Sequence, residues 1–403
     1  MDDPDVTLWY DALVDVIRRA HLMKSAELPA EVNAATGPLG LVVTIFLVDL
    51  EQRALRALPE QGRSTPPPVP VDGSLAGRVF SSVSPVAAGE PDGPHHLWIP
   101  LVDGTERLGV ARVLLPRAPA DPAVLQERCS ALVGLIGHLI AAKLPYGDGL
   151  HRARRTARMS PAGELLLSML PPLTFSSRDM VVSAVLEPTY DVGGDAFDYA
   201  VDGPIAHLVV LDAMGRGTRA AMTCAVALSA IRASRRDGDG LYAMARAADS
   251  ALTDQFTDLR YVTGVLAELN LSSGLLRYIN AGHPQPLLMR HGRAVGALAG
   301  GRRLPIGIEE NRRDVGVESL EPGDRLLLYT DGVTEARGAD GEPFGVDRLV
   351  DFAERSSASG LAAPETLRRL SHQVMDHQQG APTDDATLML AEWSGQSPAM
   401  MLP

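Results

Sequence analysis

Lysine is nearly absent from this 403-residue chain: Lys24 and Lys143 are the only two, so arginine carries almost every positive charge. Acidic residues outnumber basic ones by 50 to 37, and the net charge of −13 argues against a nucleic-acid partner, because phosphate backbones demand basic patches. Cysteine is as scarce. Cys129 and Cys224 lie in apolar or small-residue helical stretches and read as buried reduced thiols, which fits a reducing cytoplasm rather than a disulfide framework. The longest apolar segment, Leu132–Leu144, is too short to span a bilayer, and the acidic opening MDDPDVTLWYD has no apolar signal-peptide core. The expectation is a soluble, cytoplasmic protein with no membrane partner. What remains is ordinary globular composition, 45% apolar and 22% charged, in a chain long enough for two domains.

The first 148 residues read as one domain: helix, two strands, helix, two strands, helix. Trp9, Leu13, Val16, Ile17 and Ala20 recur at helical spacing. LVVTIFLVDL, Leu41–Leu50, is a continuous β-branched run of the kind covered on both faces. LWIPLV and LGVARVLL flank DGTER as a hairpin, and an apolar helix from about Asp121 to Lys143 closes the unit. Through VDGSLAGRVF, that hairpin and the closing helix, this order resembles the GAF fold, a small sheet with helices on one side that often cradles a ligand. The resemblance implies an α/β sensor domain, with or without a ligand of its own.

Residues 149–172 read as a helical connector. Arg152, Arg154, Arg155 and Arg158 form a basic stretch; Ser160 is placed as an N-cap, with Pro161 and Glu164 behind it. Leu165, Leu166, Met169 and Leu170 then make an apolar stripe ended by Pro171 and Pro172. Either this is a spacer, or it is a signalling helix that packs on its own copy in a homodimer and on the next domain. From 173 to 395 the chain is strand-rich: VVSAVLE, HLVVLD, YVTGVLAELN, GLLRYINA, PLLMRH, DRLLLYT and ATLMLAEW alternate with tight turns. Helices are expected over roughly 218–235, 241–257, 346–354 and 364–378. Hairpins dominate, so the fold class is α+β, an antiparallel β-sandwich flanked by helices, with residues 396–403 a short tail.

Four aspartates in this second domain carry the chemistry. Asp195 in VGGDAFD, Asp331 in LLLYTDGVTE and Asp384 beside Asp385 in TDDATLML adjoin glycine or another aspartate near an apolar run, and Asp212 ends the run in VVLDAMGRG, three residues before Gly215. Carboxylates without histidine or cysteine companions make a hard, oxygen-only site suited to Mn²⁺ or Mg²⁺. The Ala213 carbonyl can add a ligand. Two such ions would activate water for in-line attack on phosphorus and neutralise the phosphoryl oxygens.

VGGDAFD, LDAMGRG, YINAGHPQPLL, LLLYTDGVTEA and DDATLML, in this order, resemble the metal-dependent PPM/PP2C-type protein serine/threonine phosphatases, in their bacterial SpoIIE/RsbU-like branch. The resemblance implies two divalent cations between antiparallel sheets. It makes Asp212 the bridging ligand, with the Ala213 carbonyl beside it; Asp331 and Asp384 are ligands of one ion, and Asp195 holds the other directly or through water. Asp198 and Asp385 match acids that orient waters and ligands. Departures are Arg216, where relatives carry His or Lys between the glycines, and the lack of an arginine before the first acidic motif. Arg216 reads either as a phosphate contact or as a solvated turn residue, and His283 in NAGHP either as a proton donor to the leaving oxygen or as a structural turn. The implied function is hydrolysis of phosphoserine or phosphothreonine on a small regulatory protein, a STAS-type anti-sigma-factor antagonist in the resembling branch, gated by the N-terminal domain. A non-catalytic docking module and a hydrolase of small phosphorylated molecules are the alternatives.

Overall fold

The computed structural model describes residues 4–89, 95–115, 121–188, 190–191, 193–310, 313–378 and 384–394; the tail at 396–403 lies outside the described residues. Two compact units part between Ala157 and Arg158.

In the first unit α1 (Pro4–Ala20) and α2 (Leu28–Thr36) precede β1 (Val42–Val48), β2 (Ala54–Ala57) and β3 (Val69–Pro70). Next come α3 (Leu75–Ser82), β4 (Val86–Gly89), the hairpin β5 (His95–Asp103) and β6 (Glu106–Leu115), then α4 (Pro122–Lys143) and α5 (Gly149–Arg154). One antiparallel sheet runs β3-β2-β1-β6-β5-β4. Strand alternation explains the uninterrupted apolar run of β1. Val43, Ile45 and Leu47 face one core with Trp9, Leu28 and Ile136, while Phe46 and Val48 face a second with Val79 and Phe80 of α3. Helices therefore cover both faces of this sheet, as the run of β1 predicts and unlike the one-sided cover that the GAF resemblance implies. Sequence reading also missed α2 and the short edge strands β3 and β4, whose few residues carry too little periodicity to register.

α4 spans the predicted range, and Asp121 accepts from the Ala123 and Val124 amides to start it ten residues ahead of the apolar run at Leu132. By length and composition alone it is now apolar enough to cross a bilayer. Its Cys129, Leu132, Val133, Ile136, Gly137 and Ile140 are buried in the core of this unit. α5 packs here too, through buried Leu150 and a hydrogen bond from Arg154 Nε to the Val48 carbonyl at 3.1 Å.

The second unit opens with α6 (Pro161–Met169), β7 (Thr174–Ser176), β8 (Met180–Glu187), β9 (Asp195–Asp202) and β10 (Ile205–Ala213). Two helices, α7 (Gly217–Arg236) and α8 (Leu241–Gln255), lead to β11 (Val262–Asn270), β12 (Leu275–Ala281), β13 (Leu287–Arg290) and β14 (Arg293–Ala297). The remainder is β15 (Arg302–Arg303), β16 (Gly316–Ser319), β17 (Arg325–Tyr329), α9 (Asp331–Thr334), α10 (Gly345–Ala358), α11 (Ala363–Gln378) and β18 (Ala386–Trp393). One sheet runs β15-β12-β11-β10-β9 with β16 beside β12; the other runs β14-β13-β17-β18-β8-β7. Apart from the short parallel pair β12–β15, every ladder is antiparallel. α7 and α8 flank the first sheet and α10 and α11 the second, around one continuous aliphatic core. This is the α+β sandwich the hairpin pattern predicts.

The stretch read as a connector is divided between the units: α5 belongs to the first and α6 to the second. In α6 the cap is as predicted, with Ser160 Oγ accepting from the Gly163 amide. Its apolar stripe packs within its own domain. Leu166 is fully buried in the sandwich core, and Leu165, Met169 and Leu170 lie half-buried against it.

Candidate active site

The antiparallel ladder sets Asp195, the first residue of β9, directly opposite Asp212 near the end of β10. Asp331 begins α9 where β17 ends, and Asp384 and Asp385 lie just before β18, in the other sheet. The acids form a gradient from the interior outward. Asp195 and Asp385 are buried, Asp212 and Asp331 half-buried, and Asp384 exposed.

Their proximity is legible in their proton affinities. Burial, then Asp331, Asp384 and Asp385, push Asp212 up to about 7. Asp195 is raised well above the usual carboxylate range by burial, then by Asp212 and Asp385. Asp331 is raised by burial, then by Asp384 and Glu335, and Asp385 by burial against the pull of three amides. Among the described residues no three of these side chains converge closely enough to enclose an ion by themselves. A cation here needs water or main-chain oxygens to complete its shell, and the donor set fits that demand: carboxylates plus the Ala213 carbonyl, which lies against Gly194. The nearby thiol of Cys224 is driven up by burial and the same acids, so it stays protonated and offers no soft ligand.

Asp385 acts on the backbone that carries Asp195. Its Oδ2 accepts from the amides of Gly193, Gly194 and Asp195 at 2.7, 2.6 and 3.2 Å, pinning the turn that delivers Asp195. Asp198 departs from expectation. Three residues beyond Asp195 on a strand it faces the opposite side, where its two oxygens accept from Arg232 at 2.6 Å and Arg235 at 2.7 Å, both on α7. It ties helix to sheet and does not orient ligands in the acid cluster. His283 is buried, its Nδ1 3.0 Å from the Thr263 hydroxyl and its amide donating to Asn280 Oδ1. Burial pulls it down to about 4, with the Tyr329 main chain opposing, so it carries no transferable proton at neutral pH and suits a turn-locking role. Arg216 is exposed on the turn between Gly215 and Gly217, both at positive φ, and that turn abuts Gly193.

Sequence reading missed Glu335, four residues after Asp331, and the hydroxyls of Thr330 and Thr387, which meet Asp195 from the second sheet. Gly332, which follows Asp331, has a packing role that its sequence did not show. A Cβ at Gly332 would lie 1.8 Å from the Asp385 carbonyl oxygen, so glycine is what lets the Asp331 and Asp385 segments touch. Gly332→Ala is expected to destabilise the domain by about 1–3 kcal/mol, as overpacking against backbone does. Chemical denaturation reads this directly, and an unchanged midpoint contradicts the close approach.

The family model described as stage II sporulation protein E (SpoIIE) matches residues 203–394. This segment, most of the second unit, is similar to that family. The match takes in Asp212, Asp331, Asp384 and Asp385; Asp195 and Asp198 precede it. Relatives of the SpoIIE-type domain include the phosphoserine phosphatase RsbP of Bacillus subtilis, 26% identical over 211 residues that make up 50% of this chain and 49% of that one. Protein IcfG of Synechocystis is 26% identical over 274 residues, 60% of this chain and 42% of that one. A solved structure of RsbU and RsbW domains from Mycobacterium tuberculosis is 27% identical, covering 57% of this chain and 64% of that one with a TM-score of 0.46. The chain thus spans about half the length of the curated relatives it matches.

Proposed function

We propose that the SpoIIE-type domain is a cytoplasmic protein serine/threonine phosphatase that uses two divalent cations, Mn²⁺ or Mg²⁺. The observation that carries this reading is the gathering of Asp195, Asp212, Asp331 and Asp384 from four separated segments, close enough that Asp331 and Asp384 raise the proton affinity of Asp212, and Asp212 that of Asp195. A folded protein keeps such a like-charged cluster where a cation will neutralise it. In this reading Asp212 and the Ala213 carbonyl would help hold the ions, Asp331 and Asp384 would hold one, and Asp195 would hold the other. When bound, the cations supply an activated water and neutralise the phosphoryl oxygens. The protein's own part is positional: Asp385 holds the Gly193–Asp195 turn, Gly332 lets the second sheet's acids close on the first, and exposed Arg216 draws the phosphate in.

The substrate we propose is phosphoserine or phosphothreonine on a small regulatory protein, of the STAS-type anti-sigma-factor-antagonist class; the name of RsbP supports the phosphoserine part. Purified protein with Mn²⁺ is to be assayed on a phosphopeptide, a phosphoprotein and p-nitrophenyl phosphate. Turnover of the phosphoprotein supports the reading. Turnover of p-nitrophenyl phosphate alone points to a small-molecule hydrolase, and no turnover at all to a docking module. Mass spectrometry of the phosphoproteins lost from a lysate then names the substrate.

We further propose that the N-terminal domain is a GAF-like sensor, that the protein is a homodimer, and that α6 relays the sensor's state to the acids. Arg232 supports the last point: it donates to the Met169 carbonyl at the end of α6 and to Asp198 on β9, the strand that begins with Asp195. Arg232→Gln removes this tie while Arg235 still pairs with Asp198. Allosteric couplings of about 1–3 kcal/mol translate to changes of roughly 5- to 150-fold, so Mn²⁺-dependent turnover is expected to fall at least several-fold. Turnover equal to wild type removes α6 from the regulatory path.

A further inference from the structure

Asp195 and Asp385 are the two enclosed acids of the site, and Asp195 is held from the opposite sheet. It is 2% exposed, and two hydroxyl groups meet the same one of its oxygens. Thr330 Oγ1 and Thr387 Oγ1 each donate to Oδ2 at 2.7 Å. Both threonines are fully buried. They come from the opposite sheet, one at the end of β17 and the other the second residue of β18.

The two threonines also fix each other. The Thr387 amide donates to Thr330 Oγ1 at 2.9 Å, and the Thr330 amide donates to the Thr387 carbonyl at 3.1 Å. With its oxygen accepting from a backbone amide, the Thr330 hydroxyl has its proton directed at Asp195. Thr330 is also the N-cap residue of α9, where a threonine oxygen ordinarily accepts from the free N–H groups of the first turn. It makes no such bond here. The hydroxyl forgoes the local partner and reaches instead for a carboxylate 135 residues away in sequence.

We propose that Thr330 and Thr387 are positioning residues that lock Asp195 in one orientation, occupying Oδ2 inside the protein and presenting Oδ1 alone to a cation. The proposal rests on Asp195 being a metal ligand, as in the function proposed above. A carboxylate beside other carboxylates is repelled into whatever rotamer separates the charges, so something must hold it facing them. Two charge-assisted bonds from a rigid strand pair do so. The clamp also sits on the segments that deliver the remaining acids. Thr330 directly precedes Asp331, and Thr387 follows Asp385 by two residues. Fixing Asp195 therefore fixes its distance from both. Hydrogen-bond partners of ligating groups characteristically contribute 10- to 100-fold in metal affinity.

The test compares Thr330→Val and Thr387→Val, which delete the hydroxyl at nearly constant volume, with Thr330→Ser and Thr387→Ser, which keep it. Mn²⁺ binding to the full chain is measured by calorimetry and by the electron paramagnetic resonance of free Mn²⁺, with thermal melting in EDTA as the control for folding. Each valine variant is expected to bind Mn²⁺ at least about tenfold more weakly, and each serine variant within about threefold of wild type. The KM for a phosphopeptide at saturating Mn²⁺ should not move, since neither threonine reaches the substrate. In an Asp195→Asn background the valine changes should cost no further affinity, because the group they act through is gone. If a valine chain fails to fold, the alanine variant at the same position, assayed below its melting temperature, gives the same reading. Valine variants that bind as wild type does, or lose affinity equally in the Asp195→Asn background, overturn the clamp. A wild-type chain that takes up no Mn²⁺ overturns the metal reading beneath it.

Discussion

Asp212→Asn and Asp331→Asn are each expected to lower Mn²⁺-dependent phosphatase turnover by at least about 10²–10³-fold, the loss seen when one well-placed electrostatic contact is removed from a reacting centre. The fold should survive. Asparagine keeps the shape and removes a charge that Asp384 and Asp385 oppose at Asp212 and that Asp384 and Glu335 oppose at Asp331. Initial rates at saturating Mn²⁺, set beside melting curves in EDTA, separate loss of chemistry from loss of structure. A variant that turns over within a few-fold of wild type contradicts the assignment of that residue.

Metal-free protein should lose stability as pH rises from about 4 to 7, the reverse of what paired surface carboxylates produce. Asp212 is held up to about 7, whereas in the unfolded chain it titrates near 3.9. Between those values the folded state keeps a proton that the unfolded state has lost. Raising the pH through this window therefore favours unfolding, by at most about 1.4 kcal/mol per pH unit for one group. Over the full window Asp212 alone contributes roughly 4 kcal/mol as an upper bound, and Asp195, Asp331 and Asp385 are shifted in the same direction. Chemical denaturation in EDTA at pH 5 and pH 7.5 measures the slope. Asp212→Asn should flatten it, and Mn²⁺ at pH 7.5 should restore stability to wild type but not to the variant. Equal or greater stability at pH 7.5 than at pH 5 in EDTA contradicts the clustering of the acids.

Much of the sandwich was readable because its strands are long and bounded by turns. DRLLLYT and ATLMLAEW can be little else, and the β-branched run of β1 announced a strand covered twice. β9 was not readable. DAFDYAVD mixes two aspartates with small residues, and without recognising it as a strand there was no reason to place Asp195 and Asp198 on opposite faces. The acids of the site were visible because Asp-Gly and Asp-Asp pairs interrupt apolar runs. Their supports were not. Thr387 lies 192 residues from the carboxylate it holds, and nothing local marks it. Gly332 was visible as a glycine, but its reason is contact with Asp385 and not the freedom of a turn.

β9 carries one carboxylate turned toward the second sheet and another turned toward α7, three residues apart on a single extended backbone. The strand is thus held from both sides: the helix layer grips it through Asp198, and the interior of the sandwich grips it through Asp195.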